Sequence, residues 1–287
     1  MGTRTSEVKV AGKVGNSVEL MKASLGVLKL DKELLVFPVM SGIACVLVLA
    51  SFVAPLALTG GWQVFEQGGA GYVGMTVMFL FYVVQYTVIF FFNSALVGAA
   101  LIRLDGGDPT VSDGLAIASK RMGSILGYAV TSATVGMILR MISERGGIFA
   151  KIAAGLAGMA WTLATYLAVP VLVTKDVGPI DAVKESAAIF KRTWGEQVVG
   201  NFGLSWAMFF AFLGWTGVSV ALVWASSMIG TAALVPAVLA SVSGYVILGL
   251  VGSALNGIYT AALYRYAMTG DTGYFDAQIL GNAFRPK

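Results

Sequence analysis

Most side-chain catalysis relies on a short set of residue types, and this chain lacks several of them. It has no histidine and a single cysteine, Cys45. That excludes imidazole proton relays, Ser-His and Cys-His nucleophile pairs, and metal clusters built on His or thiolate. Cys45 lies in an apolar run and reads as a small core- or lipid-facing residue. Neither Gly-x-Gly-x-x-Gly nor a Walker-type lysine loop occurs, so neither a nucleotide nor any other cofactor is expected. Carboxylates remain. An integral-membrane enzyme would need Asp105, Asp108 and Asp113, or Asp176 and Asp181, gathered with a metal. Turn and capping roles already account for these residues. No catalytic or metal-binding residue is assigned.

Within the apolar stretches the polar groups are neutral. Gln85 and Asn93 are eight residues apart and so share nearly one helix face; Asn201, Asn256 and Tyr259 occur later. They read as interhelical hydrogen bonds, worth about 0.6 kcal/mol each on average. The functional alternative has Gln85, Asn93 and Asn256 lining one solute path. All 15 acidic residues fall outside the expected spans, whereas ion-coupled transporters usually keep a carboxylate in the membrane. Arg140 closes the third expected span, two residues before Ile142, with Arg145 and Lys151 nearby. It reads as a snorkelling anchor or as a contact for an anion or lipid headgroup. Gly249, Ser253 and Gly257 follow at intervals of four, the spacing that lets helix backbones approach closely, within the chain or in a homo-oligomer.

The elements that carry these residues follow from composition. Hydrophobic residues make up 57% of the 287, charged residues 12%, and the mean hydropathy is +0.81. Soluble domains carry about 25% charged residues, and no core hides this much apolar surface. The expected fold class is all-α, a polytopic bundle of six transmembrane helices. Spans of about 20 residues fit 34–58, 72–102, 123–142, 152–174, about 198–225 and about 232–266. The last two share an uncharged stretch from Gln197 to Tyr264, with a break expected near Ser226, Ser227 and Gly230. The N-terminal segment is too long and polar for a secretory signal. With that segment inside, sixteen of the 19 basic residues fall on the inner side. The positive-inside rule then places both termini in the cytoplasm of an inner-membrane protein. The net charge of +4 fits that location better than nucleic acid. Membrane lipids are the expected partners, with a partner membrane protein or a homo-oligomer as further options.

The chain divides into 1–33, a segment with an amphipathic helix, 34–268, the membrane domain, and 269–287, a tail. Inside the first two, three similar units are expected, each an interfacial helix followed by a two-span hairpin. The first helix has Asn16 as cap with Glu19 behind it, and Val18, Met21, Leu25 and Leu28 on one face. In the second, Thr110 and Asp113 sit at capping-box spacing ahead of Leu115, Ala118 and Met122. The third carries Ile180, Val183, Ala187, Phe190 and Trp194 on one face. In the tail, Phe275, Ile279 and Leu280 are expected to pack at the membrane surface.

The run from Leu30 through Asp31, Lys32 and Glu33 to Phe37, Pro38 and Gly42 resembles the start of the first span in a family of six-span prokaryotic membrane proteins of unknown function. The resemblance extends to the Gly-Pro turns and the Gly-Asp-rich stretch after the last span. It implies a fold and a membrane location without an established activity. More loosely, the layout is similar to the membrane domain attached to some glycerophosphodiester phosphodiesterases; the acidic and His residues of that catalytic barrel are lacking, so its activity is not implied. In the motif, Asp31, Lys32 and Glu33 mark the water boundary, and Pro38 sits where its missing N–H costs little. A non-catalytic membrane scaffold or lipid-interacting, envelope-associated factor is therefore expected, with a passive or facilitated transporter or channel for a neutral or amphiphilic solute as the alternative.

Overall fold

The computed structural model describes residues 13–59, 61, 71–194, 203–275 and 280. Its elements are helical and run in three rounds of one short helix and two long ones. The first round is α1 (Lys13–Leu30), α2 (Val36–Leu58, entered through a 3-10 turn at Lys32–Leu35) and α3 (Gly71–Leu104). The second is α4 (Val111–Lys120), α5 (Met122–Arg145), and a span in two pieces, α6 (Gly147–Ala164) and α7 (Ala168–Thr174). The third is α8 (Pro179–Trp194), α9 (Gly203–Ile229) and α10 (Thr231–Thr269). Six helices are long and apolar enough to cross a membrane; four have bounds within about three residues of those expected, the fourth begins at Gly147, ahead of 152, and the fifth runs Ala207–Ile229 against about 198–225. The break between the last two lies at Gly230, whose φ of 132° favours glycine.

The fourth span differs from the continuous helix expected. Pro170 has no N–H to bond the carbonyl of Tyr166, and its ring crowds that carbonyl, so the helix opens over 165–167. The released N–H of Leu167 donates to Ser186 Oγ of α8 at 3.0 Å, in a buried setting. One sequence feature thus both breaks a span and fastens the short helix beneath it.

The short helices lie on one side of the bundle, called basal here. Each packs under the hairpin made by the preceding unit. The α4 helix lies against α3, and its Gly114 lets Phe37 of α2 and the Ala95 carbonyl come close; a Cβ there would meet them at 2.5 and 2.7 Å. The α8 helix lies under α5, α6 and α7, and α1 lies under α9 and α10. The order is cyclic, with the first helix closing the ring on the last hairpin.

The core sits at this basal end. There the C-terminal halves of the three returning spans meet: Ser94 to Ala100 of α3, Ala168 to Leu172 of α7, and Gly257 to Tyr264 of α10. Gly257 makes the close approach expected of it, against Leu96. A hydrogen bond between Thr174 Oγ1 and Tyr264 Oη, 2.7 Å, ties α7 to α10.

The short helices bury part of each expected face, with Leu28, Ala118, Phe190 and Trp194 inside as expected, but the stripes are turned from those expected. In α1 the buried stripe is Leu20, Ser24, Val27 and Leu28, while Val18, Met21 and Leu25 are only half-buried. The helix already begins at Lys13, so Asn16 lies inside its first turns, not at its cap. In α8 the stripe is Ala182, Ser186, Ile189, Phe190 and Trp194, and Ile180 is exposed. Small residues lie inward because α8 runs close beneath its hairpin, and Ser186 must reach Leu167. In α4 Ala118 is buried, Leu115 half-buried and Met122 exposed. The capping box there is as expected: Thr110 Oγ1 accepts from Asp113 N–H, and Asp113 accepts from Thr110 N–H. The tail folds back, with Phe275 and Leu280 buried and Trp194 Nε1 donating to the Leu280 carbonyl at 3.1 Å. Ile279 and Asn201 lie outside the described residues.

Candidate functional site: a lateral cleft at Arg140

Most of the described basal carboxylates are engaged. Asp31 is buried and accepts from Arg103 Nη2 at 3.3 Å; Arg103 also pairs with Asp108. Asp105 and Asp271 both meet Arg265, each at 2.8 Å. Arg121 pairs with Asp176, Lys184 with Asp181, and Lys175 with Glu185. Glu33 accepts from the Val111 N–H at 3.0 Å. Asp31 thus ties the end of α1 to the end of α3 within the first round, and Glu33 ties the first round to the second. Two of these groups have carboxyls held below the ordinary range. Asp113 is lowered by the Thr110 hydroxyl and then its N–H, and Asp271 by the Gly273 N–H and then by Arg265. Among the described residues, no group of three or more His, Cys, Asp or Glu side chains is arranged to hold a metal ion.

The distal half looks different. There α3 and α5 enclose a cleft of about 370 Å³ lined by Met75, Met78, Tyr82, Tyr86, Ala133, Gly136, Met137, Arg140, Met141 and Glu144. Arg140 lies eighteen residues beyond Met122, the start of α5. That is about 27 Å along a helix, near the far boundary of a hydrocarbon layer of about 30 Å. Its Nε donates to Glu144 Oε1 at 2.7 Å. Its Nη1 faces Tyr82 Oη at 3.4 Å and Met78 Sδ at 3.7 Å, both from α3. Both charged side chains stay half-exposed, at 50% and 60%. Beneath them an aromatic ladder descends through stacked Tyr82, Tyr86 and Phe90 to Tyr128 of α5, with ring centroids 4.5 to 6.0 Å apart. Gly136 keeps the floor open, since a Cβ there would lie 4.0 Å from Tyr86 Oη. Four methionines give walls that can re-pack around a guest.

A second cleft, about 550 Å³, runs between α9 and α10 and is lined by Leu204, Met208, Phe209, Phe212, Leu248, Gly249, Gly252, Ser253 and Asn256. Gly249 and Ser253, expected in a helix interface, are exposed along it. Besides Gly257, the close approaches on this helix come from Gly252 under Met208 and Gly244 under Trp215. The three neutral polar residues do not meet in either of these two clefts. Asn256 lines the second cleft, whereas Gln85 and Asn93 line neither. Gln85 Oε1 is buried without a hydrogen-bond partner among the described residues. Asn93 lies near Gly257, with Oδ1 3.7 Å from where its Cβ would be.

Residues 72–274 match a single family model, more than two thirds of the chain. The chain belongs to a family of unknown function, DUF6159. The match takes in five of the six spans and both clefts. The motif at 30–42 lies outside it. No curated protein and no solved structure matches the chain. The similarity to the glycerophosphodiester phosphodiesterase membrane domain finds no support among these comparisons.

Proposed function

We propose that this member of the family is a non-catalytic membrane scaffold that holds lipid between its spans. The observation that carries this reading is the open distal half. Val46 and Leu47 of α2, Phe149 and Leu156 of α6, Val220 and Trp224 of α9, and Val238 and Leu239 of α10 all expose apolar side chains. Two lateral clefts run among helices apolar enough to lie in a bilayer. Lipid chains fill such surfaces at no hydrophobic cost. The engagement of the basal carboxylates in ion pairs and caps favours a structural role for them over an enzymatic one. The transport alternative would need Gln85, Asn93 and Asn256 around one cavity, and only Asn256 lines either of the two clefts.

The basic residues of the basal side place it, on this reading, at the cytoplasmic face of an inner membrane, with both termini there. The test is native mass spectrometry of the gently solubilised full chain. Lipid retained at fixed stoichiometry is the expected result, and a second protein or a second copy would be retained if the scaffold assembles. A bare chain overturns the reading. Topology is checked by Ser6→Cys in a Cys45→Ser background, which should resist an impermeant thiol label in intact cells.

A further inference from the structure

We propose that the cleft between α3 and α5 is a headgroup site for a zwitterionic phospholipid, one carrying both a phosphate and a primary ammonium. This rests on the lipid-holding reading above and gives it a chemical class. The argument is charge complementarity. Arg140 engages Glu144 through Nε and makes long contacts to Tyr82 Oη and Met78 Sδ through Nη1, while its Nη2 makes none of the described hydrogen bonds on the wall of the cleft. A guanidinium edge is a planar fork suited to phosphate oxygens. Glu144 meets Arg140 through Oε1, and Oε2 makes none of the described hydrogen bonds. It can accept from an ammonium, and the faces of Tyr82 and Tyr86 can further favour that cation. The pair is neutral as a unit, so an anionic head would set an uncompensated negative charge beside Glu144. A zwitterion cancels both. The volume, about 370 Å³, is at the small end of ligand sites, which run from roughly 300 to 1,000 Å³. It suits a headgroup and the first methylenes, with the acyl chains leaving past Met75 and Met78 into the bilayer. The depth of Arg140 matches that of a headgroup in the distal leaflet.

The test uses the full chain in mild detergent and follows thermal unfolding against added short-chain phosphoethanolamine, phosphoglycerol and phosphocholine lipids with identical tails. Phosphoethanolamine should bind about tenfold more tightly than phosphoglycerol, the size of one charge-assisted hydrogen bond. Phosphocholine, which cannot donate to Glu144, should fall between. Glu144→Gln should reverse the order, making phosphoglycerol the better ligand, and Arg140→Gln, which removes the phosphate fork and keeps the carboxylate, should weaken all three lipids with phosphoglycerol still the poorest. A purely structural ion pair would give no such reversal. Should Glu144→Gln fail to fold, Gly136→Leu, which fills the cleft floor, must remove the preference. Equal stabilisation by all three lipids overturns the headgroup site while leaving the lipid-holding reading intact. Stabilisation by none overturns both. A wild-type preference for phosphoglycerol, or a Glu144→Gln variant that still prefers phosphoethanolamine, also overturns the proposal.

Discussion

The basal and distal halves are built from the same six spans but obey different rules. In the basal half, side chains from distant parts of the chain are buried together, charges are paired, and glycines allow contact between backbones. In the distal half the same helices splay, methionines and aromatics line clefts, and the ion pair described there, Arg140 with Glu144, is local and half-exposed. The difference shows where this protein needs a fixed geometry and where it leaves room. Specific packing is spent on interlocking the units, and the open half is left to the solvent of the bilayer.

Substitutions that treat the two halves alike would break this comparison. The largest effect is expected at Arg103. Arg103→Ala leaves Asp31, only 5% exposed, as a buried charge without its partner. The cost should be about 3–5 kcal/mol in a reversible denaturation series in mixed micelles. The distal counterpart, Arg140→Ala, should cost less than about 1 kcal/mol, because exposed pairs contribute little. Equal losses would mean that the ion pairs of the two halves are equivalent. Next come the glycines. Gly114→Ala places a methyl against Phe37 and the Ala95 carbonyl and should cost about 1–3 kcal/mol. Gly249→Ala meets nothing within 4 Å and should change the melting temperature little.

A smaller effect is expected from Trp194→Phe, which keeps the ring and removes the bond to the Leu280 carbonyl. The loss should be about 1 kcal/mol, with faster proteolysis of the tail as a second readout. The smallest concerns pH. The Asp113 carboxyl is held low by the cap it closes. A depressed folded value means the contribution is complete above the ordinary carboxylate range, near about pH 4, and is lost as pH falls through the folded value. Acidification below that range should therefore loosen α4 slightly in hydrogen exchange, and Asp113→Asn should remove the dependence.

Part of this architecture was readable before any coordinates. Span number and boundaries follow from apolar run length, because bilayer thickness fixes the length of each span. The Thr110–Asp113 cap is local, three residues apart, and so visible in the chain. Pro170 is the local signal for the break at 165–167, although the run around it is apolar enough to read as one continuous span. The buried faces of α1 and α8 keep Leu28, Phe190 and Trp194 from the expected stripes but are otherwise turned from them, for a physical reason. Counting large apolar residues finds the stripe that best shuns water, but these helices lie so close to their hairpins that Ala182 and Ser186 fit where Ile180 does not. The Asp31–Arg103 pair and the approach of Tyr82 to Arg140 join residues far apart in sequence, and no local pattern encodes them. The headgroup reading of Arg140 was available from its place at a span end, but the cleft that gives it chemistry needs α3 alongside.

The cyclic seating of the short helices carries a consequence for synthesis. Each hairpin is closed from below by the helix that follows it in the chain, except the last, which is closed by the first helix made. While the ribosome is still extending the chain, α1 has no partner, and its buried stripe must wait at the membrane surface through four spans. The segment translated earliest is thus the last to dock, so the bundle is latched only when its final hairpin is in place.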